Sequence, residues 1–351
     1  MKRVVVGMSG GVDSSVAAYL LKQQGYDVVG LFMKNWDDSS VTLTSNCTWE
    51  DDLLFAEMVS KKIDIPLHTV DLSDQYRKRV VEYMFAEYER GRTPNPDVLC
   101  NREIKFDIFI DEAVKLGAEF VATGHYCRKE IIEQEGKQIF KLLAGKDPNK
   151  DQSYFLCQLS QHQLSRALFP IGELLKPEVR KIADEQGLAT ATRKDSQGIC
   201  FVGKVDLPTF LQQKLQAKKG DIIEIPESYY AGLNESDDLN ELSKAYFYNR
   251  EDGHLMAVHR GAHFYTIGQR KGLNIGGTGK PMYVIAIDVV ENIVYVGCGD
   301  EHPGLYRKGL FIANDEIHWI RSDIKMQLDE SRTYLVRIRY RQPLQEARLI
   351  K

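Results

Sequence analysis

The sequence predicts an α/β protein in which a parallel-sheet domain is followed by a small, mostly helical domain and a C-terminal β-barrel. Strand and helix patterns alternate up to about residue 125, residues 150–210 read mostly as helix, and short β-branched runs with glycines begin at Lys219. Strands separated by helices pair in parallel, because the crossover helices cover the faces of the sheet. A chain of 351 residues is expected to form two or three domains. We place them at residues 1–149, 150–217 and 218–351.

The alternating region predicts four strands and four helices. The strands are predicted at Lys2–Met8, Asp27–Met33, Pro66–Leu72 and Glu119–Thr123. The helices are predicted at Asp13–Gln24, Trp49–Lys62, Ser73–Arg90 and Ile104–Leu116. Ligands of such sheets bind outside the carboxyl ends of the strands, where Gly7, Met33 and Gly124 fall. We therefore expect these three residues to line one pocket.

The later elements are predicted from turn residues and β-branched runs. A hairpin is expected over Ile131–Leu143, and Pro177 is expected to open a helix. Tyr283–Ile287 and Val289–Val296 are expected to form a second hairpin. Ser228–His259 looks like an inserted, surface-exposed segment within the C-terminal domain.

The composition is that of an ordinary globular protein, with 43% hydrophobic and 27% charged residues. A net charge of −4 argues against a general polyanion binder. No apolar stretch approaches the roughly 20 residues of a membrane helix, and the N-terminus lacks the pattern of a signal peptide. The six cysteines form no C-x-x-C pair, which argues against a zinc ribbon and, without a secretory signal, against a disulfide framework. We expect a protein of the reducing cytosol.

The turn Gly7–Ser15 combines glycines and serines between a strand and a helix, an order that suits phosphate binding. Glycines let the backbone approach an anion, and the helix N-terminus supplies amide donors. The turn lacks the Gly-Lys-Ser/Thr ending of the P-loop and does not match the GxGxxG dinucleotide motif. Asp13 would repel phosphates, so we interpret it as a helix cap, a magnesium ligand, or both.

Two cysteines lie in segments that could support chemistry. Two prolines lead to Cys100, and its thiol is expected where the next helix begins, a position that lowers a thiol pKa. A nearby Asp97 carboxylate would instead raise the pKa of this thiol, so Asp97 is better suited to exchanging a proton with a substrate. Cys200 follows a polar, glycine-containing stretch. A cysteine taken alone is more often an unreactive part of the core. That interpretation is the better one for Cys47, Cys127, Cys157 and Cys298.

Three arginines alternate with apolar residues near the end of the chain. At the period of a strand, Arg337, Arg339 and Arg341 would share one face. A solvated outer face is the simpler interpretation, and a surface that follows RNA phosphates is the alternative.

The Ser-Gly-Gly-x-Asp-Ser order of the first loop resembles the ATP-pyrophosphatase superfamily, whose members cleave ATP between the α and β phosphates. Further stretches resemble the tRNA-specific 2-thiouridylase family and lie across most of the chain. They are Asn95–Asn101, Thr123–Tyr126, Lys150–Tyr154, Asp195–Phe201, Phe264–Gly272 and Arg339–Gln342. The family implies an ATP-pyrophosphatase domain, a small central domain and a C-terminal β-barrel.

The resemblance implies roles for residues at matching positions. Those implied to contact ATP are Gly7, Met8, Ser9, Gly10, Gly11, Val12, Asp13, Ser14, Met33 and Gly124. Those implied to meet the target base are Asn95, Pro96 and Asp97. Those implied to contact tRNA are His125, Lys150, Asp151, Gln152, Arg339 and Tyr340. Cys100 is implied to be the nucleophile, and Cys200 the carrier of persulfide sulfur.

The implied reaction is ATP-dependent 2-thiolation of the wobble uridine of tRNA. AMP is transferred to the C2 oxygen with the help of Mg²⁺, and sulfur on Cys200 then attacks C2. The implied Cys100–Cys200 disulfide, or release of sulfide, needs an outside sulfur-donor protein and a reductant. No membrane partner is expected.

Three other functions stay open at this stage. Another adenylating ligase or synthetase would share the loop but would need no paired cysteines. A regulatory ATP-binding module or an RNA-binding scaffold would explain only parts of the chain. Ser228–His259 also has no counterpart in the usual family pattern, and the barrel pattern stops soon after Arg341, so the barrel is expected to be incomplete or the sequence truncated.

Overall fold

The computed structural model describes residues 1–36, 48–195, 207–212, 214–233 and 236–351. The chain divides into two compact units. The first unit comprises Met1–Val80, Pro96–Lys204 and His318–Lys351, and the second comprises Val81–Asn95 and Val205–Ile317. These units do not follow the three predicted domains, whose boundaries stay a prediction.

The first unit contains a parallel sheet, as predicted. The first seven strands of the described chain all belong to this unit: β1 Arg3–Met8, β2 Asp27–Lys34, β3 Leu67–Asp71, β4 Phe120–Ala122, β5 Cys127–Gln134, β6 Lys137–Ala144 and β7 Ala167–Leu168. Five of them form the parallel sheet, in the order β3-β2-β1-β4-β7. Val4, Val5 and Val6 of the central strand are fully buried, because a parallel sheet is covered on both faces.

The helices of both units follow the predicted pattern most closely near the N-terminus. In chain order they are α1 Val12–Gln23, α2 Thr48–Lys62, α3 Ser73–Tyr76, α4 Glu82–Glu89, α5 Pro96–Cys100, α6 Phe109–Lys115, α7 Gln161–Arg166, α8 Lys176–Glu185, α9 Leu207–Leu211 and α10 Leu239–Ser243. π-Helical segments at Arg77–Val81 and Asn101–Ile108 continue α3 into α4 and α5 into α6. None of the helices in the described ranges is both long and apolar enough to cross a bilayer.

The described residues between 150 and 210, which leave out 196–206, are less helical than predicted. Between α7 and α8 lies β7, whose residue Ala167 pairs with Val121 of the parallel sheet. Pro177 occupies the first turn of α8, as predicted. A short alternation of polar and apolar residues does not by itself distinguish an irregular segment from a helix, which explains the difference.

The hairpin expected over Ile131–Leu143 is confirmed and is longer than predicted. Strands β5 and β6 pair in antiparallel fashion from Cys127 opposite Ala144 to Gln134 opposite Lys137. Glu135 and Gly136 both have positive φ, 53° and 72°. This is the backbone that a tight two-residue hairpin turn requires.

The second unit contains an open four-stranded sheet. Its strands are β8 Gly220–Glu224, β9 His254–His259, β10 Met282–Asp288 and β11 Ile293–Cys298, in the order β10-β11-β8-β9. Strands β10 and β11 form the second predicted hairpin, with Asn292 at a φ of 56° in its turn. The described strands do not close, so the predicted barrel is not confirmed.

The sequence suggests that Ser228–His259 is surface-exposed, but this prediction is wrong for part of the segment. Tyr248 and His259 are 5% and 3% exposed. Tyr248 belongs to an aromatic core with Tyr230 and Tyr295, and β9 pairs with β8. The prediction of exposure rested on the acidic residues of the segment, whereas its tyrosines form the buried face.

The C-terminal hairpin belongs to the first unit. It consists of β12 Ser331–Val336 and β13 Gln345–Ile350. Because β12 ends at Val336, Arg337, Arg339 and Arg341 lie in the connection between the strands, and the prediction of a shared strand face is wrong. The amide of Gln342 donates to the carbonyl oxygen of Arg339 at 3.0 Å, which turns the chain there.

Candidate nucleotide and thiol site

The loop between β1 and α1 lies where the strand order of the parallel sheet reverses. Strand β1 pairs with β2 on one side and with β4 on the other, and ligands of open α/β sheets bind at such a point. Just beyond β4, a Cβ built on Gly124 would lie 2.7 Å from both the carbonyl carbon of Asp13 and the amide nitrogen of Ser14. Only a residue without a side chain allows the two backbones to approach this closely.

The loop is fixed by glycine conformation and by serine hydrogen bonds. Gly10 has a φ of 69°, and a Cβ there would collide with the carbonyl oxygen of Asp52. The Ser14 hydroxyl accepts from the Ser9 amide at 3.2 Å and donates to the Gly11 carbonyl oxygen at 3.1 Å. Gly11 is the N-cap of α1 and has no side chain, so it leaves the first-turn amides uncapped. These amides suit an anion.

Asp13 is held by two side chains that sequence reasoning missed. Lys176 Nζ lies 2.7 and 2.9 Å from its two carboxylate oxygens, and the Tyr126 hydroxyl donates to it at 2.7 Å. Lys176 is the first residue of α8 and is only 8% exposed. The interpretation of Asp13 as a helix cap is wrong, because Gly11 occupies the N-cap and Asp13 lies inside the helix.

The Lys176 ammonium joins Asp13 to a second carboxylate, that of Asp195, at 2.8 Å. Lys150 and Arg180 also contact Asp195, at 2.7 and 2.8 Å. Partial burial opposes ionisation of Asp195, but hydrogen bonds from Lys150 and Lys176 outweigh it and lower its pKa to about 2. We call these five residues the ion-pair cluster. Its three cations and two carboxylates leave one excess positive charge beside the loop.

The surroundings of Asp13 do not fit a resident magnesium ion. Mg²⁺ takes oxygen ligands, whereas the carboxylate oxygens of Asp13 face the Lys176 ammonium and the Tyr126 hydroxyl. Within the part of the chain that the structure describes, no three His, Cys, Asp or Glu side chains lie together as metal ligands. In this arrangement Asp13 is the partner of Lys176.

A further cation, Arg193, braces the loop from outside. Its guanidinium donates to the carbonyl oxygen of Gly10 at 2.6 Å and pairs with Asp52 at 2.6 Å. Neither Arg193 nor Lys176 lies in a recognisable motif, and Lys176 is 163 residues from Asp13. The only sequence signal near Lys176 is Pro177, which predicts a helix start and no chemistry.

Cys100 lies inside a helical run and not at its start. The run begins at Pro96 and continues through α6, because proline suits the first helical position. The prediction that a helix begins at Cys100 is therefore wrong. The Cys100 side chain is fully buried, and Asp97 in the first turn is half-buried. Cys200 and Cys47 lie outside the described residues, so the meeting of Cys100 and Cys200 stays a prediction.

The helical run that carries Cys100 also packs against Gly7, at the start of the loop that leads to α1. A Cβ built on Gly7 would lie 3.5 Å from Phe109 Cζ and 3.6 Å from Met33 Cε. Gly7 and Met33 are therefore neighbours, at the ends of adjacent strands. One continuous element thus supports both the loop and the thiol.

The next residue in the run, Asn101, links this helix to the C-terminal segment. Its side-chain amide donates to the carbonyl oxygens of Asp97 at 3.0 Å and Phe155 at 3.3 Å. The ring centroid of Phe155 lies 4.4 Å from that of Tyr340. Tyr340, predicted to contact tRNA, is thereby placed beside the helix of Cys100.

His125 is buried, and its surroundings disfavour the charged imidazolium. Burial, with a smaller contribution from Lys105, lowers the pKa of His125 well below its usual value. Its Nδ1 forms a 2.7 Å hydrogen bond with the Thr123 hydroxyl, and the side chain is 7% exposed. As placed, it supports the end of β4, and its contact with tRNA stays a prediction.

The segment 150–152, also predicted to contact tRNA, makes internal contacts. Asp151 accepts from Arg337 at 2.8 Å, and the Gln152 side chain accepts from the Tyr126 amide at 3.0 Å. Lys150 belongs to the ion-pair cluster. These side chains connect the loop to the C-terminal segment, where Arg339 is exposed. Of the residues predicted to meet the base, Asn95 is the last residue of the segment Val81–Asn95 in the second unit, and Pro96 and Asp97 belong to the first unit.

The other cysteines of the described chain show no arrangement for catalysis. Cys127 is fully buried, and burial raises the pKa of its thiol well above the usual value. Cys157 is exposed and Cys298 is half-buried. The interpretation of these three as core or incidental thiols is consistent with their placement.

Two family models match the chain. One, described as a tRNA methyl transferase HUP domain, matches residues 2–204, and the other, described as a tRNA methyl transferase PRC-barrel domain, matches residues 238–298. The second match includes much of the segment predicted as an insertion. The first covers more than half of the chain.

Curated relatives match almost the whole chain. A tRNA-specific 2-thiouridylase MnmA of Christiangramia forsetii is 61% identical, over 99% of this chain and 90% of the relative. The protein of the same name from Flavobacterium johnsoniae is 59% identical, with the same coverage. That of Bacillus subtilis is 47% identical, over 97% of this chain and 82% of the relative. The chain belongs to the tRNA-specific 2-thiouridylase family.

Proposed function

We propose that this chain replaces the C2 oxygen of the wobble uridine of tRNA with sulfur, at the cost of ATP. As a member of its family, the chain is a tRNA-uridine 2-sulfurtransferase. The observation that carries the proposal is the helical run from Pro96 to Lys115, which packs Phe109 on Gly7 and also contains Cys100. A nucleotide loop and a buried thiol on one element suit a reaction that couples ATP cleavage to sulfur transfer.

ATP is proposed to bind at the loop of residues 7–14 and Gly124, with adenine near Met33. The uncapped amides of α1 and the excess positive charge of the ion-pair cluster favour the phosphates. The uridine C2 oxygen then bonds to the α phosphorus, and pyrophosphate leaves with the electrons of the broken bond. Adenylation removes the N3 proton of the uracil, and Asp97 is the proposed acceptor.

Sulfur is proposed to arrive as a persulfide on Cys200, supplied by a donor protein. Its terminal sulfur attacks C2, and AMP leaves with the former uridine oxygen. The Cys100 thiolate then attacks the Cys200 sulfur, the bond between that sulfur and the sulfur on C2 breaks, and its electrons stay with the C2 sulfur, which becomes the thiocarbonyl of 2-thiouridine as N3 regains a proton. The resulting disulfide needs two electrons from a reductant before the next cycle. Such a cycle suits a reducing compartment, and we propose the cytosol.

The proposal is tested by mass spectrometry of a tRNA digest after incubation with ATP, Mg²⁺ and a persulfide source. The wild-type chain should form 2-thiouridine, and Cys100→Ser should form none while it keeps ATP binding. Cys157→Ser is the matched control, since this exposed thiol has no proposed role, and it should keep full activity. Wild-type yields of 2-thiouridine from Cys100→Ser would contradict the proposal.

A further inference from the structure

We propose that the loop Arg270–Lys280 of the second unit, here called the basic loop, binds the phosphodiester backbone of RNA. The inference rests on the proposed function, because tRNA is the polyanion that the reaction brings to the protein. The basic loop begins within the stretch Phe264–Gly272 that resembles the family and extends eight residues beyond it. Neither the fold nor the proposed chemistry has yet given it a role.

The cations of the basic loop are exposed and lack acidic partners. Arg270, Lys271 and Lys280 are all exposed, and among the described residues none lies within 4.0 Å of a carboxylate oxygen. Two other cations of the same unit are paired and serve for comparison: Lys244 contacts Glu241 at 2.7 Å, and Arg250 contacts Asp221. Three unpaired cations within eleven residues favour a polyanionic partner.

The basic loop is held at its start by the edge of the sheet. The Gly268 amide donates to the Val284 carbonyl oxygen at 2.7 Å, and the Val284 amide donates to Gln269 at 3.0 Å. The Gln269 side chain donates to the carbonyl oxygen of Lys271 at 2.9 Å. Leu273 is 4% exposed and packs in the core of the sheet. These contacts hold the backbone from which Arg270 and Lys271 project, so binding need not order the start of the loop.

The remainder of the basic loop exposes backbone. Gly272 and Gly277 have φ of 83° and 79°, and a Cβ built on Gly276, Gly277 or Gly279 would meet no atom within 4 Å. Backbone without side chains allows close approach to a phosphate oxygen. The open space beside these glycines suits a strand of phosphodiesters better than a single enclosed anion.

The test compares tRNA binding by the full chain over a range of salt concentrations. We expect the double variant Arg270→Ala/Lys271→Ala to bind about three- to tenfold more weakly at 0.1 M salt, and the slope of log K against log salt to fall by about 1 to 2. The matched control is Lys244→Ala/Arg250→Ala, whose cations already have acidic partners, and its slope should equal that of the wild type. ATP binding should be the same in all three proteins.

Two outcomes separate this inference from the proposed function. An unchanged salt slope in the Arg270→Ala/Lys271→Ala variant would overturn the role of the basic loop and leave the thiolation proposal intact. A wild-type chain that binds tRNA with the expected slope, but forms no 2-thiouridine, would overturn the proposed function and leave the basic loop as an RNA contact. Weakened binding with an unchanged slope would also contradict phosphate contacts.

Discussion

The loop of residues 7–14 and the basic loop are both rich in glycine, yet their charged neighbours differ. Around the first loop, each cation that contacts it has a carboxylate partner: Lys176 pairs with Asp13, and Arg193 pairs with Asp52. In the basic loop, Arg270 and its neighbours have no such partner among the described residues. The glycines differ too: Gly124, which lies against the first loop, is packed on the backbone of Asp13 and Ser14, whereas Gly276 of the basic loop faces open space.

The difference corresponds to the two ways in which we propose that these loops bind phosphate. A closed loop with paired charges is shaped in advance for one ligand of fixed size, and its glycines are required by packing. An open loop with unpaired cations provides attraction without a fixed outline, as a long RNA backbone needs. We therefore expect substitutions in the first loop to affect stability and turnover, and those in the basic loop to affect RNA affinity.

The largest effect is expected from Gly124→Ala. Its methyl group would lie 2.7 Å from backbone atoms of Asp13 and Ser14. Backbone cannot move aside as the end of a flexible side chain can, so we expect a cost of about 3 kcal/mol, the upper end of the usual range for overpacking. ATP binding and 2-thiouridine formation should both be lost. The matched control is Gly276→Ala, which should change the free energy of unfolding by less than about 0.5 kcal/mol. Equal effects of the two substitutions, measured by urea unfolding and ATP binding, would remove the distinction between the loops.

A smaller effect is expected from Lys176→Met, which leaves Asp13 and Asp195 without their shared ammonium. Breaking a fully buried ion pair costs about 3–5 kcal/mol. Here the two carboxylate side chains are about one-third exposed, so we expect a loss of about 2 kcal/mol in urea unfolding. The control Lys181→Met removes an exposed partner of Glu185 and should cost less than about 0.5 kcal/mol. A Lys176 variant as stable as this control would show that the cluster adds nothing to the fold.

The smallest effect is a pH dependence of stability from Asp195. Its pKa of about 2 in the folded chain lies below the ordinary value of 3.8, so its ion pairs stabilise the fold above about pH 4 and lose that contribution as pH falls towards 2. The free energy of unfolding of Asp195→Asn should therefore depend less steeply on pH in this range. Parallel curves for the variant and the wild type would contradict the assigned partners.

The sequence predicted local features well and distant partners poorly. The valines of β1 and the glycines before α1 indicate a strand, a turn and a helix within a few residues of one another. The contact between Lys176 and Asp13 depends on how α8 packs, and no local pattern encodes it. The strand face expected for Arg337 was wrong because alternation of residue types continues beyond the point at which backbone pairing ends.

The start of the helix at Pro96 could have been predicted, because proline is common at the first helical position. The prediction that the helix begins at Cys100 gave more weight to a reactive thiol than to this preference of proline. The burial of His125, unlike the helix start at Pro96, could not have been predicted, because a polar side chain does not indicate that packing will exclude it from solvent. Family resemblance supplied its proposed role, and burial of this kind is visible only in the fold.

The most direct test of the proposed chemistry follows the C2 oxygen of the target uridine. A tRNA labelled with ¹⁸O at this position would be incubated with the wild-type chain, ATP, Mg²⁺ and a persulfide source, and the AMP analysed by mass spectrometry. If the C2 oxygen is adenylated, each 2-thiouridine formed is matched by one AMP that carries the label. Unlabelled AMP at the same yield of 2-thiouridine would show that another atom receives the AMP, and would contradict the account.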